Sequence, residues 1–191
     1  MKHSQKDAHY RNEVIPYHVF SRAIEGRPIF QTQDDCHRFI FQMYVTNHGS
    51  PAPNLHRRDV GKAAQALLQG EDIPKTFFAK EHPPLVQFLS FTEVVNHYHF
   101  LLLPSAENGI PRYMQKLNTA FAHYFNIKHT RKGRLFEGPY KMIPIESEAQ
   151  LDAIIRYINV KNPLDVYQPG WRESGLHDKE GAWEFLQHYP F

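Results

Sequence analysis

Cysteine is nearly absent: Cys36 is the only one in 191 residues, which excludes an internal disulfide and any multi-cysteine metal site. No apolar run is long enough to span a bilayer, and the opening MKHSQKDAHYRNEV holds no apolar core of the signal-peptide kind. A reducing cytoplasm is the expected setting. A net excess of charge is lacking as well. With a formal net charge of only +2, any grip on a polyanion must come from local groups of Lys and Arg. Neither an internal repeat nor a low-complexity tract is present, and 41% hydrophobic with 22% charged residues fits an ordinary globular domain with a sizeable core. What is abundant is rings: 14 Phe, 10 Tyr and 13 His.

After a polar tail over 1–13, VIPYHVFSR (14–22) has strand character and IEGRP (24–28) supplies a turn. Asp34 or Asp35 is expected to cap a helix through about His48, ended by SPAPN (50–54). Residues 50–84 read as an insertion containing one short helix, GKAAQALLQ. Two strands, 85–95 and 97–103, meet near Asn96. Ile110, Tyr113, Met114, Leu117, Phe121 and Tyr124 form one face of a helix through about Lys128. A basic loop, KHTRKGR (128–134), and a short strand, KMIPI (141–145), follow. Ser147 with Gln150 signals a capped helix through about Val160, stopped by Pro163. The order β, α, β, β, α, β, α predicts an α+β domain over 14–168, an antiparallel sheet with helices on one face. A C-terminal appendage over 169–191 is expected to contain a short helix and, ending at HYPF where such chains often continue, to be cut short.

The stretch EVVNHYHFLLLP (93–104) places two imidazoles at the mouth of an apolar run. Strand side chains alternate, so His97 and His99 share a face and can take adjacent positions around one divalent ion. They can equally be two satisfied histidines in a His-rich chain. In the helix after Ser147 the apolar stripe is Leu151, Ile154, Ile155 and Ile158, and Tyr157 falls to one side of it. A half-exposed tyrosine of no special role fits there too. His18 reads as a packed strand residue.

The blocks YHVFSRAIEGRPIF (17–30), VVNHYHFLLLP (94–104), IPRYMQKLNTAFAHYFN (110–126), GRLFEGPYK (133–141) and RYINVKNP (156–163) together resemble the IS200-like Y1 transposases, nearest to their REP-associated tyrosine transposase branch. The resemblance implies an HUH-type single-strand nuclease on a ferredoxin-like or RRM-like sheet. It implies that His97 and His99 hold Mg²⁺ or Mn²⁺ and that Tyr157 attacks DNA beside a hairpin. Relatives act as monomers or as homodimers that exchange the tyrosine helix.

Such chemistry suits these residue types. A cation on a non-bridging oxygen offsets the charge that repels nucleophiles. A phenol ionises more readily than an aliphatic hydroxyl and keeps the bond energy in a phosphotyrosine. The family's usual Gln or Asn one turn after the tyrosine is replaced here by Lys161, with Asn162 one residue later. Three outcomes stay open: a distorted helix end that lets Asn162 complete the metal site, Lys161 supplying charge at the phosphate, or loss of catalysis. The cations expected at DNA are Arg22, Arg27, Lys128, Arg131, Lys132, Arg134, Lys141, Arg156 and Lys161, although a solvated basic surface has the same composition. Phe136 is a candidate for stacking on a base. The rival readings are a hairpin-binding protein for DNA or RNA that does not cut, and a metallohydrolase that activates water.

Overall fold

Alternation of His18 and Phe20 with Val19 and Ser21 makes Tyr17–Arg22 a strand, β1. The computed structural model describes residues 14–48, 56–77 and 82–190. The polar tail at 1–13, the SPAPN break and Phe191 of HYPF lie outside them. After β1 come α1 (Gln33–His48), α2 (Val60–Leu68), β2 (Val86–Val94), β3 (His97–Pro104), α3 (Gly109–Lys128) and β4 (Lys141–Pro144). The chain then runs through α4 (Glu148–Arg156), α5 (Asn162–Tyr167), α6 (Trp171–Ser174) and α7 (Lys179–His188). The four strands lie in the order β2-β3-β1-β4, with every neighbouring pair antiparallel. This is the split βαβ arrangement expected of a ferredoxin-like α+β domain.

One face of the sheet carries the main core. Val19, Tyr98, Phe100 and Leu102 pack under Phe39 of α1 and Phe121 of α3, all of them fully buried. Phe39 meets Phe121 edge-on at 4.8 Å between ring centroids and Tyr98 at 5.0 Å. Each ring so buried contributes roughly 1.5–3 kcal/mol of transfer free energy, and the edge-on geometry adds to it. The Tyr98 hydroxyl donates to Asn118 Oδ1 at 2.5 Å, so its burial leaves no orphan. Phe136 is buried in the same core and bridges to Ala23, so its ring is not free to stack on a base.

The described part of the insertion also belongs to this core. Val60 and Ala64 are buried, and Phe77 meets Phe41 edge-on at 4.8 Å. The cap of α1 differs from expectation. Thr32 accepts from the Asp35 backbone N–H at 3.3 Å, while the Asp35 carboxylate accepts from the Thr32 N–H at 3.1 Å. That reciprocal box fixes the start of the helix at Thr32. Asp35 instead sits fully buried, accepting from Tyr124 Oη at 2.9 Å and from Lys128 Nζ.

α1 and α3 form the helix layer on the core face, and the run from α4 to α5 adds to the opposite face. The reason is a second, smaller cluster: Leu101 of β3 and Ile145 are covered by Ile158, with Leu151 and Ile154 packed at the side. Ile155, expected in that stripe, is 40% exposed. Ser147 accepts from the Gln150 N–H and caps α4 as its sequence predicts. Pro163 does not end the helix. Tyr157–Lys161 form a π turn in which the Asn162 N–H reaches back to the Tyr157 carbonyl, and α5 continues with Pro163 in its first turn. A proline ring clashes with the carbonyl four residues earlier, and one extra residue in the turn relieves it.

Candidate active site

The antiparallel register sets which side chains share the second face. Arg22 pairs with His97, Phe20 with His99 and His18 with Leu101. Directly opposed residues project to the same side. The β1 residues His18, Phe20 and Arg22 therefore join the histidine pair of β3. Between β2 and β3 the chain reverses through Val95 and Asn96, and Asn96 fixes the approach to the site from three directions. Its carbonyl accepts from Ala23 N–H at 2.9 Å, its Nδ2 donates to the Gly26 carbonyl at 3.1 Å, and its Oδ1 lies 2.6 Å from His97 Nδ1.

An amide oxygen can only accept, so His97 Nδ1 carries the proton and its Nε2 carries the lone pair. His99 is constrained similarly: its Nδ1 is 2.9 Å from His18 Nε2, and its own Nε2 is buried without a partner. When His99 Nδ1–H donates to His18, the orphan Nε2 presents a lone pair, which is the arrangement an outer-shell histidine gives a metal ligand. The two imidazoles lie 5.0 Å apart by ring centroid. Burial pushes His97 and His18 down to about 4 and His99 to about 2, with Arg22 adding to the shift at His97 and the neighbouring histidines and Arg172 adding to it at His99. All three rings are neutral near pH 7, the form that coordinates a cation. Among the described residues no three His, Cys, Asp or Glu side chains come together as a metal-holding group. The donor set thus fits a cation held by two imidazoles, with the remaining positions left to amide, water or substrate oxygens.

Tyr157 completes the cluster. Its ring lies edge-on to His99 at 5.2 Å and to His18 at 6.2 Å between centroids. A cavity of about 660 Å³ opens over these groups, lined by Arg22, His97, His99, Lys141 and Tyr157 together with Asp165 and Arg172. Burial of Ile158 on Leu101 holds the tyrosine there. The π turn has a further effect. In an α-helix the residue four along shares a side with the first, whereas widening by one residue gives that place to the fifth. Asn162, not Lys161, therefore follows Tyr157 around the turn; Asn162 is fully buried and Lys161 is exposed. Asn162 Oδ1 is 3.5 Å from Arg172 Nη2, its Nδ2 has no partner, and it does not line the cavity.

The predicted cations divide. Arg22 and Lys141 line the cavity, and Lys141 Nζ stands 5.7 Å from the Phe20 ring centroid. Arg131 donates to Asn126 Oδ1 at 2.7 Å and Arg134 to the Glu137 carbonyl at 3.1 Å. They order a loop whose Glu137 N–H is tied to the Arg22 carbonyl at 2.9 Å, at the cavity rim. Lys132 and Lys161 are exposed, Arg27 pairs with Glu25 at 3.7 Å, and Arg156 lies 4.0 Å from Asp152. Lys128 belongs elsewhere: its ammonium is committed to the buried Asp35 on the core side. His18 is the packed strand residue its sequence suggests, while its contact with His99, together with Asp165 and Arg172, escapes sequence reasoning. Parity along β1 would have found His18 once its register with β3 was known, whereas nothing in the sequence links residues 165 and 172 to the histidines.

Residues 75–161 match the family described as "Transposase IS200 like". None of the curated proteins compared matches the chain. A solved structure from Deinococcus radiodurans R1, provisionally described as a transposase, is similar over 82% of this chain and 95% of its own, at 14% identity and a TM-score of 0.40. No helix among the described residues is long and apolar enough to cross a membrane.

Proposed function

Because residues 75–161 match the family described as "Transposase IS200 like", we propose that the chain is an HUH-type, metal-dependent single-strand DNA transesterase. In this reading it cuts beside DNA hairpins. The observation that carries it is the meeting of one phenol with two neutral imidazoles: Tyr157 stands 5.2 Å by ring centroid from His99, whose buried Nε2 has no partner.

Tyr157 is the nucleophile. Its oxygen forms a bond to phosphorus as the bond from phosphorus to the departing 3′ oxygen breaks. The phenol proton passes to water, and the departing oxygen takes one up as a free 3′-OH. The product is a 5′-phosphotyrosine that a second 3′-OH can attack to rejoin strands. His97 and His99 are the residues that would hold Mg²⁺ or Mn²⁺, with Asn162 as the proposed further donor. Bound there, such an ion supplies Lewis-acid stabilisation of charge on the phosphate oxygens. His18 and Asn96 keep the two imidazoles in the coordinating tautomer. Arg22, Lys141 and the loop carrying Arg131, Lys132 and Arg134 form the cationic approach for the hairpin backbone, with Arg27, Arg156 and Lys161 at greater distance. The nearest branch is the REP-associated one, the working compartment is the cytoplasm, and the protein acts as a monomer or homodimer.

A denaturing gel of end-labelled hairpin DNA with single-stranded flanks and Mn²⁺ tests this. A slow band that vanishes in Tyr157→Phe is expected. Free cut ends without the band would point to water as the nucleophile instead. A second reading, a hairpin binder that does not cut, draws support from the absence of a third His, Cys, Asp or Glu donor among the described residues. It is upheld if hairpin DNA binds but no cut product appears with either protein.

A further inference from the structure

Arg172 lies beyond the family-matched span, yet its side chain reaches the nucleophile. Its Nε donates to Asp165 Oδ1 at 2.9 Å and its Nη2 to Asp165 Oδ2 at 2.6 Å, a bidentate pairing that fixes the plane of the guanidinium. The guanidinium carbon stands 5.3 Å from the centroid of the Tyr157 ring. Both partners line the cavity that holds the histidines. A half-exposed ion pair of this kind contributes little to stability. Its position therefore calls for another account.

The donor count supplies one. Arginine has five N–H groups in a fixed fork. Asp165 and Asn162 occupy Nε and Nη2, and no hydrogen bond to Nη1 is formed among the described residues. Nη1 thus offers two N–H donors beside a phenol, on a guanidinium whose rotation Asp165 prevents. The other cavity cations lack this combination, since Lys141 stands over Phe20 and Arg22 sits on the strand beside His97.

We propose that Arg172 is a catalytic residue that binds a non-bridging oxygen of the phosphodiester attacked by Tyr157, and that Asp165 is the positioning residue that aims it. This rests on the transesterase reading for its substrate but not for its anion site. Phosphate is the shared chemistry, and a preorganised donor aimed at developing charge typically contributes about 100-fold or more in rate.

Two measurements separate the claims. In the first, inorganic phosphate is titrated into the full chain in EDTA while the ring-proton NMR signals of His97 and His99 are followed. Wild type is expected to show a saturable shift, Arg172→Ala to lose it, Arg172→Lys to keep it with weaker affinity, and Asp165→Asn to weaken it. No shift in wild type, or an unchanged shift in Arg172→Ala, overturns the proposal. In the second, the rate of adduct formation on hairpin DNA with Mn²⁺ is expected to fall about 100-fold in Arg172→Ala and to recover partly in Arg172→Lys. An unchanged rate also overturns it. If wild type forms no adduct while the phosphate shift appears, the nuclease reading fails and the anion site stands. The NMR spectrum itself reports whether each variant is folded.

Discussion

The two faces of the sheet are made from the same strands by alternate residues, and they obey opposite rules. On one face Val19, Tyr98, Phe100 and Leu102 pack among aromatic and aliphatic side chains, and the Tyr98 hydroxyl donates to Asn118. On the other, Phe20, Arg22, His97 and His99 line a cavity, His18 stacks on His99, and the Nε2 of His99 remains unpaired. A fold tolerates an unsatisfied buried group when something else uses it. The first face carries most of the packed core, and the second gathers the titratable groups of the cavity. The small cluster of Leu101, Ile145 and Ile158 is the exception that joins them, because its packing holds Tyr157 against the imidazoles.

The two faces should respond separately to substitution. Tyr157→Phe should reduce the covalent DNA adduct on denaturing gels by at least about 1,000-fold, with an unchanged midpoint of urea unfolding. The converse is Phe39→Ala, which should cost about 3–5 kcal/mol of unfolding free energy by urea titration and leave the adduct rate per folded molecule near wild type. A loss of activity per folded molecule would mean that the faces are coupled through the sheet. His18→Ala sharpens the second face, since removing an outer-shell partner should weaken Mn²⁺ binding by about 10- to 100-fold in calorimetric titration. Lys161→Ala should change that affinity by no more than about twofold, because the side chain is exposed after the π turn.

The smallest effect concerns pH. Burial tends to raise the Asp35 carboxyl, but the hydrogen bonds from Lys128, Thr32 and Tyr124 outweigh it and hold its pKa below the ordinary value. A group with a depressed folded pKa stabilises above its unfolded value and loses that contribution as pH falls through the folded one. Unfolding midpoints of wild type and Asp35→Asn should therefore converge in acid below the usual aspartate range and diverge toward neutral pH. Parallel curves would remove Asp35 from the stability of the core face.

Much of this contrast can be read from the chain itself. Period-two alternation is local, so the HYHFLLL strand and the shared side of His97 and His99 need no tertiary information, and helical spacing likewise announces α3. What is illegible depends on partners distant in sequence. Asp35 resembles a cap until Thr32 takes that role and Tyr124 and Lys128 close around the carboxylate. Lys128 resembles a DNA contact for the same reason. The π turn arises from a conflict between Pro163 and the preceding carbonyls, which a helical wheel drawn at constant pitch cannot show. Arg172 follows Gly170, whose left-handed φ of 83° precedes α6, and meets Asp165 of α5 and the Tyr157 ring from a distant place in the chain.

The cavity draws on segments far apart in sequence, from Phe20 on the first strand to Arg172 in α6. During synthesis the imidazoles leave the ribosome well before the guanidinium does, and domains settle as their later segments arrive. A growing chain therefore holds the histidine pair before Asp165 and Arg172 exist to join it, and a translation product broken between them carries the imidazoles yet lacks the guanidinium beside Tyr157.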